Sequence, residues 1–180
     1  STSVFSHLHT DHAWNITRAV SNATILLTPI TLDALQALTG LPARSNIKPL
    51  SYNRPYHTEY EEKIELIDAN HVPGSSQILV TEKETEYRTL YSGDFSFPGI
   101  QTPKADCLIL DPTHGEPLYD FETRRTDVLE QLFQDIMVSI EKNQSVEIVA
   151  HRGTMQEIMR YLQKVIDGKF IPEKVPFVCV

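Results

Sequence analysis

The sequence predicts an α/β protein built in layers. Three observations carry this reading. Apolar, β-branched runs alternate with helix-patterned ones over the first forty residues. Residues 63–93 read as strands throughout. From residue 117 the pattern turns to helix, strand, helix, strand. The 180 residues suffice for one domain with a real core, or one domain plus part of another. Hydrophobic residues at 41% and charged residues at 22% are ordinary globular composition.

In chain order, Thr2–Ser6 reads as a buried strand and Ala13–Val20 as a helix. Ala23–Pro29 is a short apolar, β-branched run ended by proline, a second buried strand. Thr31 is placed to cap a helix over Leu32–Leu38, closed by Gly40. Asn46–Tyr52 and Tyr56–Tyr60 read as short edge strands with Pro49 and Pro55 as breakers. Ile64, Leu66 and Ile67 mark one strand. Gln77–Thr81 and Arg88–Tyr91 mark an antiparallel pair around the polar turn Glu82–Glu86. Cys107-Leu108-Ile109-Leu110, within Lys104–Asp111, is apolar throughout and predicts a fully buried strand. The character changes after Gly115-Glu116-Pro117, so a boundary is expected between 1–116 and 117–180. Leu129, Leu132, Phe133, Ile136, Met137 and Ile140 recur at helical spacing and predict a long helix over Thr123–Asn143. A strand at Val146–Ala150, a helix at Thr154–Ile166 with a Thr154/Glu157 capping box, and a strand from Val175 follow.

The chemistry concentrates in His7-Leu8-His9-Thr10-Asp11-His12, between the first strand and the first helix. Three imidazoles and a carboxylate at a strand end form the ligand set suited to zinc and its neighbours. A His-rich surface turn is the bland alternative. Two further segments argue against it. His71 sits before Pro73-Gly74, which force a tight turn, and Asp94 follows a strand and Gly93. Alone, either would read as an ordinary loop residue. Together they supply His7, His9, Asp11, His12, His71 and Asp94, using four of the seven histidines. Two divalent ions sharing one carboxylate need about that many ligands. The expected division puts His7, His9 and His71 on one ion and Asp11 and His12 on the other, with Asp94 bridging. The implied cofactor is a pair of divalent metal ions, zinc with manganese as the alternative.

His-x-His-x-Asp-His, a later lone His and then Gly-Asp resemble the metallo-β-lactamase superfamily. Asp68-Ala69-Asn70-His71-x-Pro73-Gly74, Ser92-Gly93-Asp94-Phe95 and Leu110-Asp111-x-Thr113 are similar to its β-CASP branch. That branch holds the Artemis and interstrand-crosslink-repair DNA nucleases and the mRNA 3′-end-processing endonucleases with their archaeal relatives. The wording leans toward the DNA-repair group, while Gly153-Thr154-Met155-Gln156-Glu157 is faintly similar to a helix of the RNA-processing group.

The resemblance implies a partial αββα sandwich at 1–116, lacking its first strands, and the start of a β-CASP α/β domain at 117–180. It also implies that Asp111 supports the metal site through a hydrogen bond to a ligand histidine, a helix or turn cap being the alternative. The family carries strands before its first motif, later histidine motifs and a closing segment beyond the reach of this chain. The chain opens almost on its first motif and stops in the apolar run Val175–Val180, as a piece of a larger fold would.

The expected function is a metal-dependent nuclease. Water activated by two metals, positioned by Asp11 and Asp94, attacks a phosphodiester. The expected partner is single-stranded DNA or RNA, because a deep cleft admits a flexible strand more easily than a duplex. A larger complex or a homodimer is the further option. His114 is a candidate substrate contact, His57 a solvent-facing residue, and His151-Arg152-Gly153 a candidate phosphate holder ahead of a helix. The alternatives are a small-molecule metallo-hydrolase of the thioesterase or lactonase type, favoured by the net charge of −8, and a non-catalytic nucleic-acid-binding subunit. Nothing approaches 18 consecutive apolar residues, so no membrane partner is expected. A chain opening on a strand predicts no signal peptide, and Cys107 and Cys179 read as buried free thiols in a reducing compartment. Cytoplasmic location, or nuclear in a eukaryote, follows.

Overall fold

The computed structural model describes residues 1–97, 99–112, 125–151, 153–171 and 175–176. The chain divides into two compact units, Ser1–Thr113 and His114–Val180.

The first unit is a layered α/β structure. Strands β1 (Thr2–Val4), β2 (Thr24–Leu27) and β3 (Ile47–Pro49) form a parallel three-stranded sheet in that order. Strands β4 (Pro55–His57), β5 (Lys63–Asp68), β6 (Ser76–Thr81), β7 (Arg88–Tyr91) and β8 (Cys107–Ile109) form a second sheet in sequence order. Alternation decides how the layers stack. Leu26 of β2 packs with Ile64, Leu66 and Ile78, and with Val4, Val80 and Tyr91, between the two sheets. Ile25 and Leu27 point the other way. There they meet Phe5, Leu8, Ile16, Val20 and Leu35 beneath the helices α1 (Thr10–Ala13), α2 (Ile16–Ala19) and α3 (Pro29–Thr39). Ile25, Leu26 and Leu27 are each 0% exposed, and full burial of such a side chain is worth roughly 1.5–3 kcal/mol. Ile67, Leu79 and Leu90 form a smaller cluster on the outer face of the five-stranded sheet.

Strand direction positions the site. β4 to β7 pair antiparallel in succession and β8 pairs parallel to β7, so β5, β7 and β8 run the same way. Their C-terminal ends share one rim, and His71, Asp94 and Asp111 each follow one of those ends.

Several expectations are corrected. The helix read at Ala13–Val20 starts inside the histidine motif, at Thr10, and is two single turns. Asn15 leaves helical geometry (φ −99°, ψ 7°) and its carbonyl starts the second turn by accepting from Arg18 and Ala19. Helix α3 is capped by Thr28, whose hydroxyl accepts the Thr31 N–H, with Pro29 at its first position. The first strand stops at Val4, and its three residues are only half-buried. Leu108 and Ile109 are 57% and 52% exposed, because β8 is the edge of its sheet among the described residues. Cys107, at the start of that strand, is a free thiol and half-buried.

The second unit pairs α4 (Arg125–Glu141) with α5 (Thr154–Asp167) through Ile136, Ile158 and Leu162. Arg125 of α4 forms an ion pair with Glu157 of α5 at 2.6 Å. Glu157 therefore serves no capping box. Instead the Gly153 N–H donates to Gln156 Oε1 at 2.6 Å, one residue earlier than expected. Val146–Ala150 forms no strand. It has no strand beside it among the described residues, and Ile148 and Ala150 pack on the α4–α5 core while Val149 is 86% exposed. Thr123, His114, Arg152, Cys179 and most of the strand expected from Val175 lie outside the described residues. His57 is exposed on β4, as expected. Among the described residues no helix is long and apolar enough to cross a membrane.

Candidate metal centre

His7 leaves the first strand through Phe5 and Ser6, and Ser6 fastens this exit to the second sheet. The Ser6 carbonyl accepts the Ser76 N–H at 2.8 Å and the Ser76 hydroxyl at 3.1 Å. Ser6 Oγ lies 3.1 Å from His7 Nδ1. The opposite ring nitrogen, Nε2, is buried and makes no hydrogen bond among the described residues. Burial, with the imidazoles of His12, His9 and His71 adding to it, pushes His7 down to about 3. The ring is neutral at physiological pH, as a ligand must be.

His71 sits on a loop held from three sides. Its N–H and that of Val72 both donate to Ser75 Oγ, at 3.1 and 3.2 Å. The Gly74 carbonyl accepts the hydroxyls of Thr28 and Thr31, at 2.7 and 2.9 Å. The Ser75 carbonyl accepts the Tyr52 hydroxyl at 2.7 Å. Gly74 has φ +87°, and a Cβ there would stand 2.8 Å from the Thr31 nitrogen, so both conformation and space call for glycine.

Asp94 follows Gly93, which turns the chain at φ +53° against Ser6. Its carboxylate is buried among four imidazoles and faces them unequally. Oδ2 lies 3.6 Å from His7 Nε2, 3.9 Å from His9 Nδ1 and 3.4 Å from His71 Nε2. Oδ1 lies 3.4 Å from His12 Nε2. His9 Nδ1 and His71 Nε2 are themselves 3.4 Å apart.

Two groups of ligand-type atoms result. His7, His9, His71 and Asp94 form one; His12, Asp94 and Asp111 form the other; within each, all ligand atoms lie within 4.8 Å of one another. Separations of 3.4–3.9 Å suit donors gathered around one small cation, since bonds of ~2.0–2.1 Å at tetrahedral angles set ligands roughly 3.3–3.4 Å apart. An imidazole nitrogen that presents its lone pair to a carboxylate oxygen is also repelled unless something positive stands between. The donor set therefore fits divalent metal.

The structure thus brings together His7, His9, His12, His71, Asp94 and Asp111. Asp11 stands apart. Its side chain is 80% exposed, with Oδ2 3.6 Å from His12 Nε2. Asp111 takes its place in the second group. No histidine hydrogen-bonds Asp111 directly among the contacts described. Instead the Tyr91 hydroxyl donates to Asp111 Oδ2 at 3.3 Å, and the Asp111 N–H donates to Ser92 Oγ at 2.9 Å. The supporting roles of Tyr91, Ser6, Thr28 and Thr31 at this site leave no mark in the sequence. Only the position of Tyr91, three residues before Asp94, could have drawn attention to it.

Residues 4–136 match the family model of the metallo-beta-lactamase superfamily. The "Uncharacterized protein in lig 3'region" of Acidianus ambivalens is 38% identical over 118 residues, 61% of this chain and 82% of that protein. "5' exonuclease Apollo" of Gallus gallus is 32% identical over 120 residues, 62% of this chain and 25% of its own length. "DNA cross-link repair protein SNM1" of Arabidopsis thaliana is 32% identical over 132 residues, 69% of this chain and 26% of its own length. The chain thus spans about a quarter of the length of these last two proteins. Its named relatives lie in the β-CASP branch, and the chain itself belongs to the metallo-β-lactamase superfamily.

Proposed function

We propose that this chain carries the metal centre of a nuclease that hydrolyses phosphodiester bonds, with single-stranded DNA as the favoured substrate. The observation that carries the reading is the division of the Asp94 carboxylate, Oδ2 toward three imidazole nitrogens and Oδ1 toward a fourth. His7, His9, His71 and Asp94 would hold one divalent ion, and His12, Asp94 and an acid, Asp111 or Asp11, the second. Four nitrogen donors favour zinc, with manganese as the alternative. Such a pair of ions supplies a water nucleophile at neutral pH and neutralises charge on the phosphoryl oxygens. The protein's share is to keep these donors neutral, aimed and close. Burial does the first for His7, the clamp on Gly74 the second for His71, and Asp94 ties the groups together. Asp11, exposed beside His12, is free to meet solvent water or substrate. DNA is favoured over RNA by the motif wording and by the name of the relative that specifies DNA cross-link repair. We read residues 117–180 as the opening of a β-CASP domain.

The net charge of −8 favours a second reading, a hydrolase of small esters or thioesters. One assay separates the two. End-labelled single-stranded DNA and RNA of matched sequence are incubated with the zinc- or manganese-loaded protein, beside Asp11→Ala. The expected result is DNA cleavage that the variant loses while its melting temperature holds. Cleavage of neither strand by protein that carries two metals would overturn the nuclease in favour of the small-molecule hydrolase.

A further inference from the structure

Tyr91 ends β7, and its hydroxyl oxygen lies 3.3 Å from Asp111 Oδ2 and 3.4 Å from His12 Nδ1. A phenol has one proton, and a carboxylate oxygen only accepts. The proton is therefore committed to Asp111, and toward His12 the same oxygen can only accept. A ring nitrogen that bonds to it must carry hydrogen, so Nδ1 is the protonated nitrogen of His12. Nε2 keeps its lone pair, and Nε2 is the atom that faces Asp94 Oδ1 at 3.4 Å and Asp11 Oδ2 at 3.6 Å. The other side of the site repeats the pattern. Ser6 Oγ sits at His7 Nδ1, and His7 Nε2 points to Asp94.

We propose that Tyr91 is a positioning residue which, oriented by Asp111, locks His12 in the Nδ1–H form and so presents Nε2 to a divalent cation shared with Asp94. This rests on the metal reading above and adds to it a division of labour. Asp111 acts on His12 through a phenol and not as an independent ligand. A phenylalanine at 91 would preserve shape and remove the acceptor, leaving His12 to exchange its proton between the two nitrogens.

The test begins on metal-free protein, where long-range proton–nitrogen correlation spectra report which nitrogen of each histidine is protonated. His12 is expected as Nδ1–H in the parent and as a mixture of both forms in Tyr91→Phe, with His7 unchanged. Zinc titration against a chromophoric chelator follows. Tyr91→Phe should weaken one of two sites by about 10–100-fold, in the manner of groups that orient a ligand. Asp111→Asn should weaken the same site, and the double variant should be no weaker than Tyr91→Phe alone. A His12 that stays Nδ1–H without the hydroxyl, or losses that add in the double variant, would overturn the relay. Failure of the underlying metal reading looks different: the parent protein itself would bind no zinc.

Discussion

The two halves of the candidate metal centre are built differently. The half made by His7, His9, His71 and Asp94 Oδ2 is set in main chain. Buried Ser6, Ser75, Ser76, Thr28 and Thr31 spend their hydrogen bonds on the loops that carry two of its three histidines. The half made by His12 and Asp94 Oδ1 hangs on one tyrosine hydroxyl that Asp111 orients, with Asp11 open to solvent beside it. The first half is pre-organised and its geometry survives small losses elsewhere. The second is adjustable, which suits the side of a centre where substrate and water must come and go. Only Asp94 belongs to both.

Removing the shared residue should therefore have the largest effect. Asp94→Ala is expected to lower zinc affinity in both halves by at least ~100-fold, beyond the range for groups that merely orient a ligand. Elemental analysis after dialysis would show it, and loss of a single ion would mean that the carboxylate is not shared. Next comes the clamp. Gly74→Ala forces a side chain into a left-handed position and against the Thr31 backbone, at a cost of roughly 2–4 kcal/mol. Thermal melts should register that cost. Zinc titration should place the lost affinity on the three-histidine half, and an equal loss in both halves would erase the contrast drawn above. The smallest expected effect is at Tyr52, whose hydroxyl donates to Ser75 at the edge of the same clamp. Burial, with Asp68 adding to it, pushes this hydroxyl well above the usual tyrosine range. The folded protein thus retains a proton that the unfolded chain releases above about pH 10. The contribution is intact below that pH and declines as pH rises through it. Tyr52→Phe should cost about 1 kcal/mol at neutral pH and should flatten the alkaline decline in chemical denaturation. An unchanged alkaline limb would separate Tyr52 from it.

The ligand-type residues were legible because each is local. His7, His9, His71 and Asp94 stand just past apolar strands, beside glycine, proline or another histidine, and the short-range pattern announces a strand end. Their supports were not legible. Thr28 and Thr31 act on Gly74 across more than forty residues, and Ser6 acts on Ser76 across seventy. Such contacts leave no period in the sequence. The sequence places Thr31 as the cap of α3, but Thr28 takes that role and both hydroxyls turn to the His71 loop. Leu108–Leu110 failed differently. Unbroken apolarity is the mark of a strand covered on both faces, but a strand's place in the sheet is a tertiary fact, and this one is the edge. The histidine motif reads as a turn before a helix, but its last three residues, Thr10 to His12, already form the first helical turn with Ala13, and His9 stands at its N-cap.

The shared rim at the ends of β5, β7 and β8 has a practical corollary at the opposite end of the sheet. The connection from β6 to β7 emerges there and consists of exposed residues 82–87, closed by its own hydrogen bonds between Glu82, Thr85, Glu86 and Tyr87. A short epitope, a fluorophore-bearing cysteine or a surface-tethering peptide inserted at that tip would sit a full strand length from His71 and Asp94. The protein can be labelled, captured and oriented from that side with its histidine face presented outward.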